Sequence, residues 1–405
     1  MYKTLFSILF CCSALSMLSL VASASTSIRV ATFNVSMEAR NYTEEGENHS
    51  SSNQASVPLS AQLLKNALMS GKHMQIKNVA EILQRVRPNI VLLNEFDFIE
   101  NPKQGILAFQ NKYLAMSQKG AKPIRYPYFY IAPVNTGVLA PVDLNNDDNV
   151  SLPGDGFGFG FYPGHYGMAV LSQFPINRAE VRTFQKFLWR DMPGAKKPQH
   201  EDGKPYYSDA AWDVFRLSSK SHWDIPINVN GEIIHILASH PTPPVFDGPE
   251  NRNGKRNHDE IRFWTDYISE EEKDSAYIYD DKKKYGGLGK GKRFVVMGDL
   301  NASMFEGDGI HEGIRSLIKH EKIMASVLPK SVAGKENKPD SLHSESHTAQ
   351  WGMLADYVLP SIFGFEFEKS GIFWPRKNSE YYRLVDSRKS SSDHRLVWLQ
   401  LKIKK

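Results

Sequence analysis

Six apolar segments recur along the 405-residue chain, and each carries a polar side chain at one end. SIRVATFNV (27–35) alternates as a strand does and ends near Asn34. PNIVLLNE (88–95) is a continuous apolar run that stops at Glu95. GEIIHILASH (231–240) alternates and ends at His240, and RFVVMGDLN (293–301) ends at Asp299 and Asn301. ADYVL (355–359) and DHRLVWLQL (393–401) read as strands that begin with Asp356 and with Asp393–His394. The run Phe294–Val295–Val296–Met297 is apolar enough to be buried on both faces of a sheet.

Helical periodicity separates some of these segments. Residues 75–86 place Ile76, Val79, Ala80, Ile82 and Leu83 on one face. Residues 257–268 open with Asn257-x-x-Glu260, read as a capping box before Ile261, Phe263 and Trp264. A third helix is expected over 310–320 and a further strand over 168–171. Strands alternating with helices predict an α/β architecture with partly antiparallel sheets. The polar stretches 41–60, 196–209 and 330–346 read as loop insertions. With no interdomain linker, residues 25–405 are expected to form one domain.

The N-terminus stands apart. Lys3, an apolar run from Leu5 to Val21 and Ala22-Ser23-Ala24 make a secretory signal peptide over 1–24, so the mature protein is expected to be secreted or periplasmic. No later stretch is long and apolar enough to span a membrane. Both cysteines, Cys11 and Cys12, fall inside that segment. Disulfides and thiolate ligands are therefore excluded from the mature chain, and any metal must be held by oxygen or imidazole. Loss of Lys3 leaves 48 basic residues of the original 49 against 45 acids, a net charge of +3 that neither predicts nor excludes a nucleic-acid partner.

Taken singly, each polar strand end has an ordinary explanation, such as an Asx-turn at Asp299–Asn301. As an ordered set, TFNV, LLNE, SHPTPP, GDLNAS, ADYVL and SSDHRLV resemble the motifs of the endonuclease/exonuclease/phosphatase superfamily, which includes deoxyribonuclease I. The resemblance spans residues 28–401. It implies a four-layered α/β sandwich, two packed mixed sheets flanked by helices, with the site at one edge. It also implies a divalent-metal-dependent phosphoester hydrolase using Mg²⁺ or Mn²⁺, with Ca²⁺ a further candidate. Glu95, Asn34 and Asp393 would serve the metal. Asp299 would orient or deprotonate water, Asn301 would donate to phosphate, His394 would pair with Asp356, and His240 would contact phosphate or the leaving group. A phosphodiesterase or nuclease is favoured, with nucleic acid as substrate; a lipid or small phosphoester is the other choice. The alternatives are a phosphomonoesterase, a sphingomyelinase-like phospholipase C, and a catalytically silent binding module. No partner protein is implied.

Three further stretches raise expectations. The basic segment 246–258 offers Arg252 and Arg256 as phosphate-positioning residues or as a solvated loop. DLNNDDN (143–149) spaces Asp143, Asn145 and Asp147 like the start of a structural Ca²⁺ loop, without the glycine and glutamate of an EF-hand. KFLW (186–189) suits either a covering loop or a lipid interface.

Overall fold

The computed structural model describes residues 26–43 and 59–404; the expected signal peptide and most of the 41–60 insertion lie outside them. Eleven strands form two mixed sheets. The first runs β10 (Phe365–Ile372), β11 (Val397–Ile403), β1 (Ser27–Met37), β2 (Ile90–Phe96), β4 (Met168–Ser172) and β3 (Tyr128–Tyr130). The second runs β5 (Arg182–Thr183), β6 (His222–Val229), β7 (Glu232–Ser239), β8 (Arg293–Asp299) and β9 (Asp356–Pro360). Only β1–β2 and β7–β8 pair in parallel.

The two-residue period of a strand sorts its side chains into layers. Ile28, Val30, Ile90 and Leu92 of the first sheet pack against Ile234, Ile236, Val295, Met297 and Val358 of the second. The intervening residues Ala31, Phe33, Val91 and Leu93 face the helix Met74–Val86 through Ile76, Val79 and Leu83. Phe294 and Val296 likewise share a core with Ile261, Phe263 and Trp264 of the helix Arg252–Ile268. The order is helix, sheet, sheet, helix, the expected four layers. At the C-terminal ends of β1, β2, β7 and β8, and at the start of β9, the same parity that buries Val30, Leu92, Ala238, Met297 and Val358 reaches Asn34, Asn94, His240, Asp299 and Asp356. The site is the polar end of the seam between the sheets.

Two local readings are corrected. The helix expected from residue 257 starts at Arg252, so Asn257 and Glu260 lie inside it and cap nothing. Its first turn is polar and carries no apolar periodicity. The last strand begins at Val397, so Asp393 and His394 precede it on a turn that bridges Ala349 through His394. The KFLW segment is a covering loop: Phe187 and Trp189 are buried in the core shared with the helix Arg252–Ile268. Among the described residues no helix is long and apolar enough to cross a membrane.

Gly298 shows how tightly the parallel pair closes beside the site, because a Cβ there would lie 2.0 Å from the Ser239 carbonyl oxygen of β7. Gly298→Ala should therefore force β7 and β8 apart and destabilise the protein by about 3 kcal/mol, measured by urea unfolding.

Candidate functional site

Asp299 lies at the centre. Its Oδ2 accepts a hydrogen bond from the Asn34 amide at 3.0 Å and faces His240 Nε2 and His394 Nε2, each at 3.5 Å. Its Oδ1 accepts from the Asn301 backbone N–H at 3.0 Å, the Asx-turn that local chemistry favours. Asn301 takes a left-handed φ of 51°, and its side-chain amide donates to the Pro241 carbonyl at 3.2 Å. Burial is the main cause that raises the Asp299 pKa above the usual carboxylate value.

The two histidines sit in opposite electrostatic settings. His394 Nδ1 lies 2.9 Å from Asp356 Oδ2, and Thr348 donates to the same oxygen at 2.7 Å. Burial alone would lower the His394 pKa, but the Asp356 and Asp299 carboxylates hold it up at about 10, so the ring is a cation at neutral pH. Among the described residues His240 has no such partner, and its buried Nδ1 makes no hydrogen bond. Burial, followed by the charges of Lys220 and His394, pushes its pKa well below the usual histidine value. One neutral imidazole and one imidazolium therefore flank a single acid.

Glu95 reaches the site through a kink. β1 and β2 lose register between Asn34 and Met37, where Ser36 (φ 46°) and Glu95 (φ 54°) both adopt left-handed conformations. Such bulges re-aim side chains. Glu95 Oε2 is buried without a hydrogen-bond partner and lies 3.6 Å from Arg388, which is also 3.7 Å from Asp393. An orphaned hard oxygen beside a second carboxylate fits a divalent cation. Asn34 Oδ1, which accepts from Ser36 N–H at 3.1 Å, keeps one lone pair for the same ion. Asp299, Asp356 and His394 also bring ligand atoms within 4.8 Å of one another. That trio is a poor cage, because both imidazole nitrogens face carboxylates and a protonated ring cannot ligate.

The fold thus brings Asn34, Glu95, His240, Asp299, Asn301, Asp356, Asp393 and His394 to one edge. It does not bring Arg256, which is buried and donates to the carbonyls of Leu217 at 2.8 Å and Arg216 at 3.0 Å. Arg252 is paired with Glu250 and lies over the Tyr206 ring. Asp143 receives the backbone N–H groups of Asn145, Asn146 and Asp148. The Asn145 side-chain amide donates to Asp147 at 2.9 Å. Asp143, Asp147 and the buried Asp155 do converge, apart from the residues around Asp299.

Several residues at the edge escaped the reading by strand ends. Asn94 bonds Asp299 N–H and the Ser239 carbonyl across the seam, at 3.2 and 3.4 Å. Glu260 accepts the backbone N–H groups of Ser219 and Thr242, both at 2.6 Å, and Asn257 donates to Thr242 and Leu300 carbonyls at 2.8 and 2.9 Å. One helix face therefore fastens the loops carrying Lys220, His240 and Asp299. Lys220 is buried, and among the described residues its ammonium has neither hydrogen bond nor ion pair; burial lowers its pKa, opposed by Glu260, Glu95 and Asp299. Two-residue parity could have found Asn94; Lys220, at the far end of β6 from its turn, had no local signal.

The His394 pKa is raised in the folded state, so its stabilising contribution is complete below about 6.5 and is lost as pH rises through about 10. Unfolding free energy should fall between pH 7 and 9.5, and Asp356→Asn should flatten that slope. Imidazole NMR titration of the same variant should show the His394 pKa displaced downward.

A family model described as the endonuclease/exonuclease/phosphatase family matches residues 31–394. An endonuclease/exonuclease/phosphatase from Beutenbergia cavernae is similar in structure at 14% identity, covering 93% of this chain and 72% of that one, with a TM-score of 0.46. A Staphylococcus aureus beta toxin variant with bound magnesium ions has 14% identity, covers 94% and 100%, and gives a TM-score of 0.42. Sphingomyelinase C from Streptomyces griseocarneus has 13% identity, covers 94% and 100%, and gives 0.42. No curated protein matches the sequence significantly. The family match spans both sheets and every strand end that meets at Asp299, and the chain belongs to the endonuclease/exonuclease/phosphatase family.

Proposed function

We propose that the mature chain, residues 25–405 as one secreted domain, is a divalent-metal-dependent phosphodiesterase, with nucleic acid as the favoured substrate. The observation that carries this reading is a buried carboxylate of raised pKa, Asp299, held between a neutral and a cationic imidazole. Glu95 and Asp393, with Asn34, would hold Mg²⁺ or Mn²⁺; when bound, the ion supplies Lewis acidity toward a phosphoryl oxygen.

The remaining chemistry follows from the side chains. Asp299 accepts a proton from the attacking water, a task suited to a base whose pKa is raised toward neutrality. The water oxygen forms the new bond to phosphorus as the bond to the leaving oxygen breaks. Negative charge grows on the non-bridging oxygens during this displacement, and the His394 imidazolium, kept charged by Asp356, faces it. Lys220 adds a second cation, which among the described residues makes no ion pair. Neutral His240 and the free amide hydrogen of Asn301 supply hydrogen bonds to the phosphate. The converging acids near Asp143 remain a candidate structural Ca²⁺ loop, outside this chemistry.

Purified mature protein should hydrolyse bis(p-nitrophenyl) phosphate with Mg²⁺ or Mn²⁺ and lose that activity in EDTA. Asp299→Asn should lower kcat roughly 10³-fold, within the usual range for a general base. Lys220→Met should lower kcat/KM about 10²-fold, as loss of one charge-stabilising donor does. Hydrolysis of p-nitrophenyl phosphate alone would move the assignment to a phosphomonoesterase. Greater activity on sphingomyelin than on DNA or RNA would move it to a phospholipase C. Turnover that persists in EDTA would overturn the metal dependence, and absent turnover would overturn the hydrolase reading.

A further inference from the structure

Arg388 stands on the turn that leads into Asp393 and His394, and its guanidinium faces three carboxylates: Glu38 at 3.5 Å, Glu95 at 3.6 Å and Asp393 at 3.7 Å. These separations exceed hydrogen-bond length, so the attraction is coulombic and the fork of donors is not docked. Among the described residues the side chain makes no hydrogen bond, and it is 45% exposed. Three carboxylates against one guanidinium leave two negative charges uncompensated, so these oxygens attract a stronger cation.

The backbone beneath this side chain is fixed. Asn78 and Gln75, both on the Met74–Val86 helix, donate to the carbonyls of Ser390 and Ser391 at 2.8 and 2.5 Å. The Ser387 and Ser390 hydroxyls bond across the turn at 2.9 Å. A rotation of Arg388 is therefore a side-chain event that leaves Asp393 and His394 in place.

We propose that Arg388 is a resident counter-ion of the Glu95–Asp393 pair which a divalent cation displaces, and which then binds the scissile phosphate. The inference rests on the hydrolase reading above. Without another cation nearby, the guanidinium relieves repulsion among Glu38, Glu95 and Asp393. A divalent ion at Glu95 and Asp393 competes for the same oxygens with twice the charge, and the guanidinium loses most of its attraction. The freed fork matches two non-bridging phosphate oxygens, which a lysine ammonium cannot reproduce. Metal entry thus prepares the phosphate site, and by linkage bound phosphate favours the metal.

The test is calorimetric titration of the full mature protein and its Arg388→Gln and Arg388→Lys variants, first with Mn²⁺ alone and then with inorganic phosphate on the Mn²⁺-loaded proteins. Arg388→Gln should bind Mn²⁺ about tenfold more tightly than the parent and phosphate about tenfold more weakly, the scale of one charge-assisted hydrogen-bonded contact. Arg388→Lys should leave Mn²⁺ affinity near that of the parent without restoring phosphate affinity. Unchanged or weaker Mn²⁺ binding by Arg388→Gln, or unchanged phosphate binding, would overturn the proposal. These shifts in a protein that hydrolyses no phosphoester would instead refute the hydrolase reading and leave the counter-ion role standing. Far-UV circular dichroism checks that this exposed turn position leaves the fold intact.

Discussion

Where the apolar seam between the two sheets ends, the strands carry polar side chains that stay out of water. Every such group needs a partner, because an unpaired buried amide or carboxylate is strongly destabilising. Asn94 meets this constraint for four strands at once. Its Oδ1 lies 3.2 Å from both Thr32 Oγ1 of β1 and Asp299 N of β8, while its own amide reaches the Ser239 carbonyl of β7. Asn34 adds the next rung by donating to Asp299 itself. These two amides join the sheets where packing alone would let them splay, and Asp299 inherits its position from them.

That fixed frame makes the electrostatics possible. A carboxylate exposed at the tip of a loop would keep its ordinary pKa. Asp299 is instead almost wholly buried, and two imidazoles of unlike charge face the same oxygen. The asymmetry has a simple origin: Asp356 stands behind His394, whereas among the described residues no carboxylate stands behind His240. Pushing neighbouring titratable groups apart in this way is how one pocket holds both proton donors and acceptors near neutral pH.

The helix Arg252–Ile268 supplies the third support, and it shows why local reading has limits. Asn257 and Glu260 have capping-box spacing, and sequence alone reads them as a helix start. In the fold they are mid-helix side chains that tie down the loops after β7 and β8 and before β6. The same distinction separates Arg256 from Arg388. Both are basic residues near a family motif in sequence, yet one is consumed by backbone carbonyls and the other faces three carboxylates.

Strands and helices were legible because they follow from local periodicity, whereas the four layers were implied by the resemblance of the ordered motifs. An apolar run without alternation, such as Phe294–Met297, must be covered on both faces wherever the chain goes. The strand-end residues Asn34, Glu95, His240, Asp299 and Asp356 were legible for the same reason. Asn94, Lys220 and Arg388 were not, because their significance depends on partners distant along the chain. The left-handed turn that aims Glu95 depends on a bulge against β1. Sequence by itself determined which residues could be buried and which chemistry could gather at the strand ends. Tertiary structure alone decided the charge states of His240 and His394 and the pairing of Arg256 and Arg388, because charge and hydrogen bonding depend on what lies within a few ångströms in space.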